Sequence, residues 1–213
     1  QGIDGTGSVA QAGTGTTVLS ADNTYTGATT IAQGVLQLGA GGTTGSLVSS
    51  TIHNNGELVA DRSNTLLLAG TIDGTGSVVQ AGTGTTVLSA NNTYTGATSI
   101  TQGVLQLGAG GTAGSVASSA IHNNGALVVD RSNALLLAGT IDGTGSLTQS
   151  GTGTTVLSAN NTYTGATSIT QGTLQLGTGG TTGAVASSVI HNNGTLVVDR
   201  SNTAVLSQVI DGT

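Results

Sequence analysis

The chain has 213 residues, of which 37 are glycine, and it contains no proline, cysteine, methionine, tryptophan or phenylalanine. Three tyrosines are its only aromatic residues, which argues against a thick globular core and favours a thin interior of aliphatic side chains on strands. Three arginines, no lysine and a formal net charge of -6 exclude the basic footprint that nucleic acid binding requires. No apolar run is long enough to cross a membrane.

A 69-residue unit repeats along the chain without insertion or deletion. The segment Ile-Asp-Gly-Thr begins at Ile3, Ile72, Ile141 and Ile210, which defines units 3–71, 72–140 and 141–209. A strict period of this kind predicts a solenoid, in which neighbouring units bury a shared interior. We therefore expect residues 1–213 to form one rod rather than three domains. Because the chain starts and stops within its own pattern, we also expect it to be an excerpt of a longer protein.

Each unit is predicted to contain three coils. A Ser or Thr followed by an aliphatic residue occurs at Ser8, Thr30 and Thr51 and then at Ser77, so the third interval is the longest. A glycine and a second apolar run follow each signal, so the pattern predicts strand, corner, strand and loop three times per unit. The predicted fold class is all-β, a parallel β-helix or β-solenoid, because Gly, Thr and Asn are poor helix formers. Nine coils at about 4.8 Å give a rod of about 43 Å.

Alternation along the strands predicts which side chains are buried. Leu36 and Leu38 share one face and are expected inside, whereas Val35 and Gln37 lie on the other face. The same phase is expected for their equivalents, which include Leu105, Leu107, Leu174 and Leu176. At the next corner, Asn55-Gly56 is predicted to supply a left-handed backbone conformation.

One long motif lies in every unit. Residues 13–39 contain Asn-Thr-Tyr-Thr-Gly followed by Thr-x-Ile-x-x-Gly-x-Leu-x-Leu-Gly, and the motif recurs at 82–108 and 151–177. It resembles the passenger-associated β-strand repeat of Gram-negative autotransporters. The resemblance implies a secreted passenger, a right-handed β-helix displayed outside the bacterial cell, and a role in adhesion or aggregation. Anchoring in the outer membrane is expected through a region outside this chain, because the signal peptide and translocator barrel of the family are not recognised in it.

The histidines and the Asp-Arg pairs are the candidate contact residues. His53 and its equivalents His122 and His191 are expected on surface turns, about 14 Å apart, which is too far to share a metal. The only neighbouring opposite charges are expected either at a solvated corner or at a weak binding spot for a sugar or an acidic partner. These pairs are Asp61-Arg62, Asp130-Arg131 and Asp199-Arg200.

No cofactor, metal site or catalytic residue is expected. Asp4, Asp73 and Asp142 lie in Asp-Gly-Thr-Gly segments that resemble calcium-binding nonapeptides, but one acidic residue per unit is too sparse for calcium. The expected function is that of an adhesive passenger stalk, with copies of itself or host surface and matrix molecules as partners and no direct membrane insertion. The alternatives are a self-assembling extracellular fibre component with end-to-end stacking rods and, more remotely, a polysaccharide-acting β-helix enzyme.

Overall fold

A computed structural model describes all 213 residues and contains 23 β-strands and no helix. No helical segment capable of spanning a bilayer is therefore present. The strands of the first unit are β1 (Val9–Gln11), β2 (Thr16–Leu19), β3 (Thr29–Ile31), β4 (Val35–Leu38), β5 (Thr51–Asn54), β6 (Glu57–Ala60), β7 (Leu66–Leu68) and β8 (Thr71–Asp73). Those of the second unit are β9 (Ser77–Gln80), β10 (Thr85–Leu88), β11 (Thr98–Ile100), β12 (Val104–Leu107), β13 (Ala120–Asn123), β14 (Ala126–Val129), β15 (Leu135–Leu137) and β16 (Thr140–Asp142). Those of the third are β17 (Ser146–Gln149), β18 (Thr154–Leu157), β19 (Thr167–Ile169), β20 (Thr173–Leu176), β21 (Val189–Asn192), β22 (Thr195–Val198) and β23 (Val209–Asp211).

The strands stack into three walls that run along the rod, and every pairing is parallel. Wall A contains β1, β3, β5 and β8 and, further along the rod, β15, β18, β20 and β22. Wall B runs from β2 through β4, β6, β9, β11 and β13 to β16. Wall C runs from β7 through β10, β12, β14, β17, β19 and β21 to β23. Irregular segments lie between the two halves of wall A, where Thr93 N donates to Ile72 O and Asn92 N donates to Ser115 O, each at 2.9 Å. The predicted parallel β-solenoid is confirmed.

Each unit occupies three and one third turns, one third of a turn more than the three coils predicted. The eight strands of the first unit and two irregular segments, around Tyr25 and Leu47, make ten segments that follow one another around three walls. The next unit therefore begins one wall further on. Its first strand, β9, lies above β6 with Val59 in register with Val79, and not above β5. The rod has about ten turns rather than nine, or about 48 Å at the strand spacing.

The extra third of a turn comes from β8; the sequence pattern predicted neither this strand nor β7, which completes the third turn. Thr71 and Ile72 on β8 pair in register with Thr51 and Ile52 on β5, one turn below. The third interval is therefore longer than the others because it contains one turn of ordinary length, from β5 to β7, and then one additional strand, β8. Thr71-Ile72 carries the same Ser/Thr-aliphatic signal as the other turns.

One continuous interior runs through the rod. A cluster of 33 buried residues extends from Leu19 to Ile190. The predicted inward phase is confirmed, since Leu36 and Leu38 are fully buried and Leu105 is 1% exposed, whereas Gln106 is only partly buried. A column of aliphatic side chains in consecutive turns removes apolar surface from water in every unit, which supplies the main driving force for stacking.

The Asn-Thr-Tyr-Thr-Gly motif joins consecutive turns. Asn92 is buried; its Oδ1 accepts a hydrogen bond from Ile72 N at 2.9 Å, and its amide donates to Ser115 O at 3.0 Å. The turn below and the turn above are thereby tied to one side chain, which satisfies polar groups that would otherwise be buried without partners. Tyr94 points into the interior, and its hydroxyl hydrogen-bonds to Thr98 Oγ1 at 2.7 Å.

Burial of the tyrosines predicts a delayed alkaline titration. Burial raises the pKa of Tyr94 and Tyr163 far above the ordinary value, and the bond to a threonine hydroxyl only partly offsets this. A raised folded-state pKa favours the neutral phenol, so its contribution to stability is complete below about pH 10 and is lost as the pH rises further. With Tyr25 replaced by Phe, so that only these two tyrosines absorb, we expect the ultraviolet absorbance of the phenolate to appear only together with loss of the β-sheet circular dichroism signal. Phenolate formation in a rod that is still folded would contradict this burial.

Glycine at Asn55-Gly56 has a different role from the one predicted. No residue other than glycine has a positive φ, and Gly56 is not among the glycines that do, so the predicted left-handed corner is wrong. The close packing of turns explains the residue instead, because a Cβ on Gly56 would lie 2.4 Å from Gly34 O in the turn below. The left-handed corner is at Gly34 itself, where φ is +68°.

Candidate functional site

The exposed face of each unit carries a histidine paired with an aspartate of the next turn. His53 lies on β5, and its Nδ1 is 2.8 Å from Oδ1 of Asp73 on β8. The arrangement recurs in His122–Asp142 at 2.8 Å and His191–Asp211 at 2.6 Å. The histidine side chains are 47–49% exposed, so they are surface residues as expected, but they lie on strands rather than on turns.

The pairing explains what the Asp-Gly-Thr-Gly segments do on the surface. In the sequence, Asp73 and Asp142 resemble only calcium ligands, and nothing in their motif links them to the histidines. The connection requires the turn that separates β5 from β8, which brings His53 and Asp73 into register. Because a carboxylate accepts the hydrogen of Nδ1, Nε2 is the ring nitrogen that remains for an external partner.

Equivalent residues face different sides of the rod. His53 lies on wall A, His122 on wall B and His191 on wall C. The expected separation of about 14 Å assumed three whole turns per unit, which would place the histidines above one another, and it is therefore wrong. No group of three or more His, Asp or Glu side chains lies close enough to hold a metal ion.

The arginines of the first two Asp-Arg corners are buried, and the expectation of a solvated corner is corrected there. Arg62 and Arg131 are 7% and 5% exposed. The guanidinium of Arg131 donates to Thr112 O at 2.6 Å and, from Nη2, to Asn133 Oδ1 at 2.8 Å, so its donors are used within the rod. Burial also lowers the pKa of Arg131. Arg200 is partly exposed and makes the equivalent bond to Thr181 O at 2.7 Å.

The adjacent aspartates do not pair with these arginines. Asp61 instead accepts a hydrogen bond from Gln37 Nε2 at 3.2 Å, and Asp199 accepts one from Gln175 at 3.3 Å. The ion-pair partner of Arg62 is Asp22, at 3.5 Å, in a different turn. Asp22 also accepts from Ser46 Oγ at 2.8 Å, and this bond, together with Gly45 N and the Arg62 charge, lowers the pKa of the Asp22 carboxyl.

Sequence reasoning missed a lateral groove in the first unit. It has a volume of about 410 Å³, and it opens between residues 46–49 and β7, with Val48 and Leu67 on its rim and Arg62 and Asp22 at its polar end. The two rim side chains are 56% and 53% exposed. No backbone hydrogen bond joins residues 46–49 to β7, which is the edge strand of its sheet. The groove combines exposed aliphatic surface with one carboxylate and one guanidinium.

Burial of the arginines predicts resistance to trypsin. Cleavage requires local opening, and Arg62 and Arg131 lie within stacked turns. We expect no cleavage after either residue, and at most slow cleavage after Arg200, which would remove only the segment from Ser201 to Thr213. Gel electrophoresis and mass spectrometry after prolonged digestion would measure this. Early release of fragments the size of one unit would contradict a continuous core.

Comparison with known proteins matches three segments of the chain to a family of repeats. The passenger-associated-transport-repeat model matches residues 9–38, 78–107 and 147–176. The chain is also 37% identical, over 207 aligned residues, to a segment of the adhesin BmaC autotransporter of Brucella suis biovar 1 (strain 1330). That alignment covers 88% of the chain and 6% of the adhesin, so the chain spans a small part of this relative's length. No solved structure matches the chain.

Proposed function

Since this chain is an autotransporter passenger segment built on passenger-associated-transport repeats, we propose that it is an adhesive stalk that mediates attachment or self-association at the bacterial surface. Residues 1–213 form one rod in this proposal. The stalk lies outside the cell and is held at the outer membrane through another part of its parent protein. Its partners are copies of itself or molecules of a host surface or matrix.

The continuous ladder is the observation that carries the proposal. Parallel pairing and one aliphatic interior extend along about ten turns, so the chain is a stiff spacer of about 48 Å. A rod of this kind projects surface away from the cell without a separate globular domain. Its lateral surface offers the His–Asp pairs and the groove beside Val48 and Leu67 as contacts.

A non-enzymatic role is part of the proposal. Hydrolytic chemistry on a β-helix requires carboxylates or bases that converge on one substrate. Here the His–Asp pair occurs once per unit and faces a different side in each, and the remaining Asp61-type carboxylates are bonded to glutamine amides in two of the three units. The match to an adhesin supports the same interpretation.

Display on a non-adherent bacterium tests the proposal. Residues 1–213 would be fused to an unrelated outer-membrane anchor, and clumping of cells and attachment to matrix-coated wells would be counted. The matched control is the same fusion carrying Leu105→Asp, which is expected to disrupt the rod while leaving the charge and length nearly unchanged. We expect clumping or attachment with the native rod alone. Equal counts for both fusions would overturn the adhesive role and leave only a spacer.

Light scattering of the purified chain distinguishes an adhesive stalk from an end-to-end fibre component. An adhesive stalk is expected to associate weakly and sideways, so its scattering should rise modestly and reversibly with concentration. An end-to-end fibre grows without closure, and its scattering would rise steeply, with filaments visible by electron microscopy.

A further inference from the structure

Consecutive units are related by a rotation as well as by a translation. The outward-facing glutamines at equivalent positions are Gln37 on β4, Gln106 on β12 and Gln175 on β20. These strands lie on walls B, C and A, respectively. The histidines follow the same order of walls, starting from wall A. The change of wall is therefore a property of the whole unit and not of one side chain.

The rotation between units follows from the number of segments in each unit. A unit has ten segments and a turn has three walls, so every unit begins one wall beyond the wall on which the preceding unit began. At the strand spacing, the rise per unit is about 16 Å for a rotation of one third of a turn. After three units the walls coincide again. Ile3 contacts the Tyr25 segment of wall C through the bond from Thr24 N to Ile3 O, and Ile210 lies on β23 of the same wall.

Each wall consequently carries all ten kinds of segment in the same order. On wall C, Leu67, Val87, Gln106 and Val128 are in register on consecutive turns. On wall A, Leu136, Val156, Gln175 and Val197 form the same series. The strands of one unit stack on different strands of the next, and the interior remains aliphatic at each of these contacts. The rod thus presents one surface pattern on its three sides.

We propose that each repeat unit acts as a screw element that turns everything beyond it by one third of a turn. The number of units in a longer chain then sets the direction in which a distal surface faces, as well as its distance from the cell. Adding or removing one unit rotates that surface to another side, and only a change of three units restores its direction.

The screw also determines how many partners one rod can engage, and this consequence rests on the proposed adhesive function. A contact surface that occurs once per unit faces three directions within three consecutive units. A flat partner surface can reach such a contact in one unit out of three. Separate partner molecules, including other copies of this chain, can approach from all three sides. We therefore assign the rod to multivalent association around its circumference rather than to adhesion along one side.

Pulsed electron paramagnetic resonance on the full chain tests the rotation. Because the chain has no cysteine, the double variants Q37C/Q106C, Q106C/Q175C and Q37C/Q175C can be spin-labelled without further changes. The screw predicts that the first two distances are equal and that the third is well short of their sum, because the three positions lie around the axis. Units stacked without rotation would place the three labels on one line, and the third distance would equal the sum.

A second triplet protects the test against a variant that fails to fold. Thr16, Thr85 and Thr154 are outward-facing equivalents on walls B, C and A, and circular dichroism would confirm the fold of each variant before the measurement. Distances that add along one line in either folded triplet would overturn the screw. This outcome would leave the display assay unaffected, and loss of adhesion in that assay would leave the measured rotation intact.

Discussion

Leu105→Asp is expected to lower the free energy of unfolding by at least about 4 kcal/mol, because it removes a core side chain and buries a carboxylate without a partner. Leu105 is 1% exposed and lies in the central unit, between Thr86 and Leu127 in register on the neighbouring turns. Neither in-register neighbour carries a charge that could compensate the carboxylate. Urea denaturation followed by circular dichroism would measure the loss.

Thr148→Asp is the matched control for the Leu105 substitution. Thr148 lies on the outward face of β17, where the introduced carboxylate remains hydrated, so the expected change is within about 1 kcal/mol. Similar losses for the two variants would show that the inward and outward faces have been assigned wrongly. Because the rod is proposed to be one domain, a single transition is expected for the native chain. Separate transitions for separate units would contradict that proposal.

Gly82→Ala is expected to destabilise the rod by about 3 kcal/mol or more, because the added methyl group has no space. A Cβ at this position would lie 2.1 Å from Arg62 O and 2.2 Å from Arg62 N in the turn below. Both atoms belong to the backbone, so the contact cannot be relieved by a side-chain rotation. Relief would require the two turns to separate, and this would weaken the ladder on both sides of the corner.

Gly13→Ala is the control, because Gly13 is the equivalent of Gly82 in the first unit. No atom lies within 4 Å of a Cβ at Gly13, and its φ does not fall in the left-handed region. The substitution should therefore be neutral or stabilising by about 0.4–1 kcal/mol, through the lower entropy of the unfolded chain. Thermal unfolding of the two variants would compare them. Equal effects would contradict the close stacking of turns.

The in-out phase of the strands could be predicted from the sequence, whereas the register of the turns could not. Alternation at Leu36 and Leu38 reflects local geometry that two neighbouring residues reveal. The assignment of Thr71-Ile72 to a wall depends on which strand lies below it, and that is a contact between segments one full turn apart in the chain. The length of the repeat is equally compatible with three turns or with three and one third, so the period alone cannot distinguish them.

The surface was predicted less well than the interior, for similar reasons. Asp61-Arg62 has the sequence of a charged corner, but Arg62 is enclosed by the loop that contains Thr43, to which it donates a hydrogen bond. His53 and Asp73 belong to different motifs in the sequence, and only the fold brings them into contact. Gly56 resembles a turn glycine because it follows Asn55, yet close packing against the backbone of the turn below determines the residue.

A disulfide-trapping experiment tests the register of the turns most directly. In a parallel ladder, in-register residues on neighbouring strands are close enough for a disulfide, and the chain has no cysteine of its own. The fold pairs Val59 with Val79, and Val59 is also in register with the outward-facing Gln37. Three-turn units would instead place Val79 above His53. We predict rapid, nearly complete oxidation of the V59C/V79C variant and no intramolecular disulfide in H53C/V79C; the reverse result would contradict the structure of the rod described above.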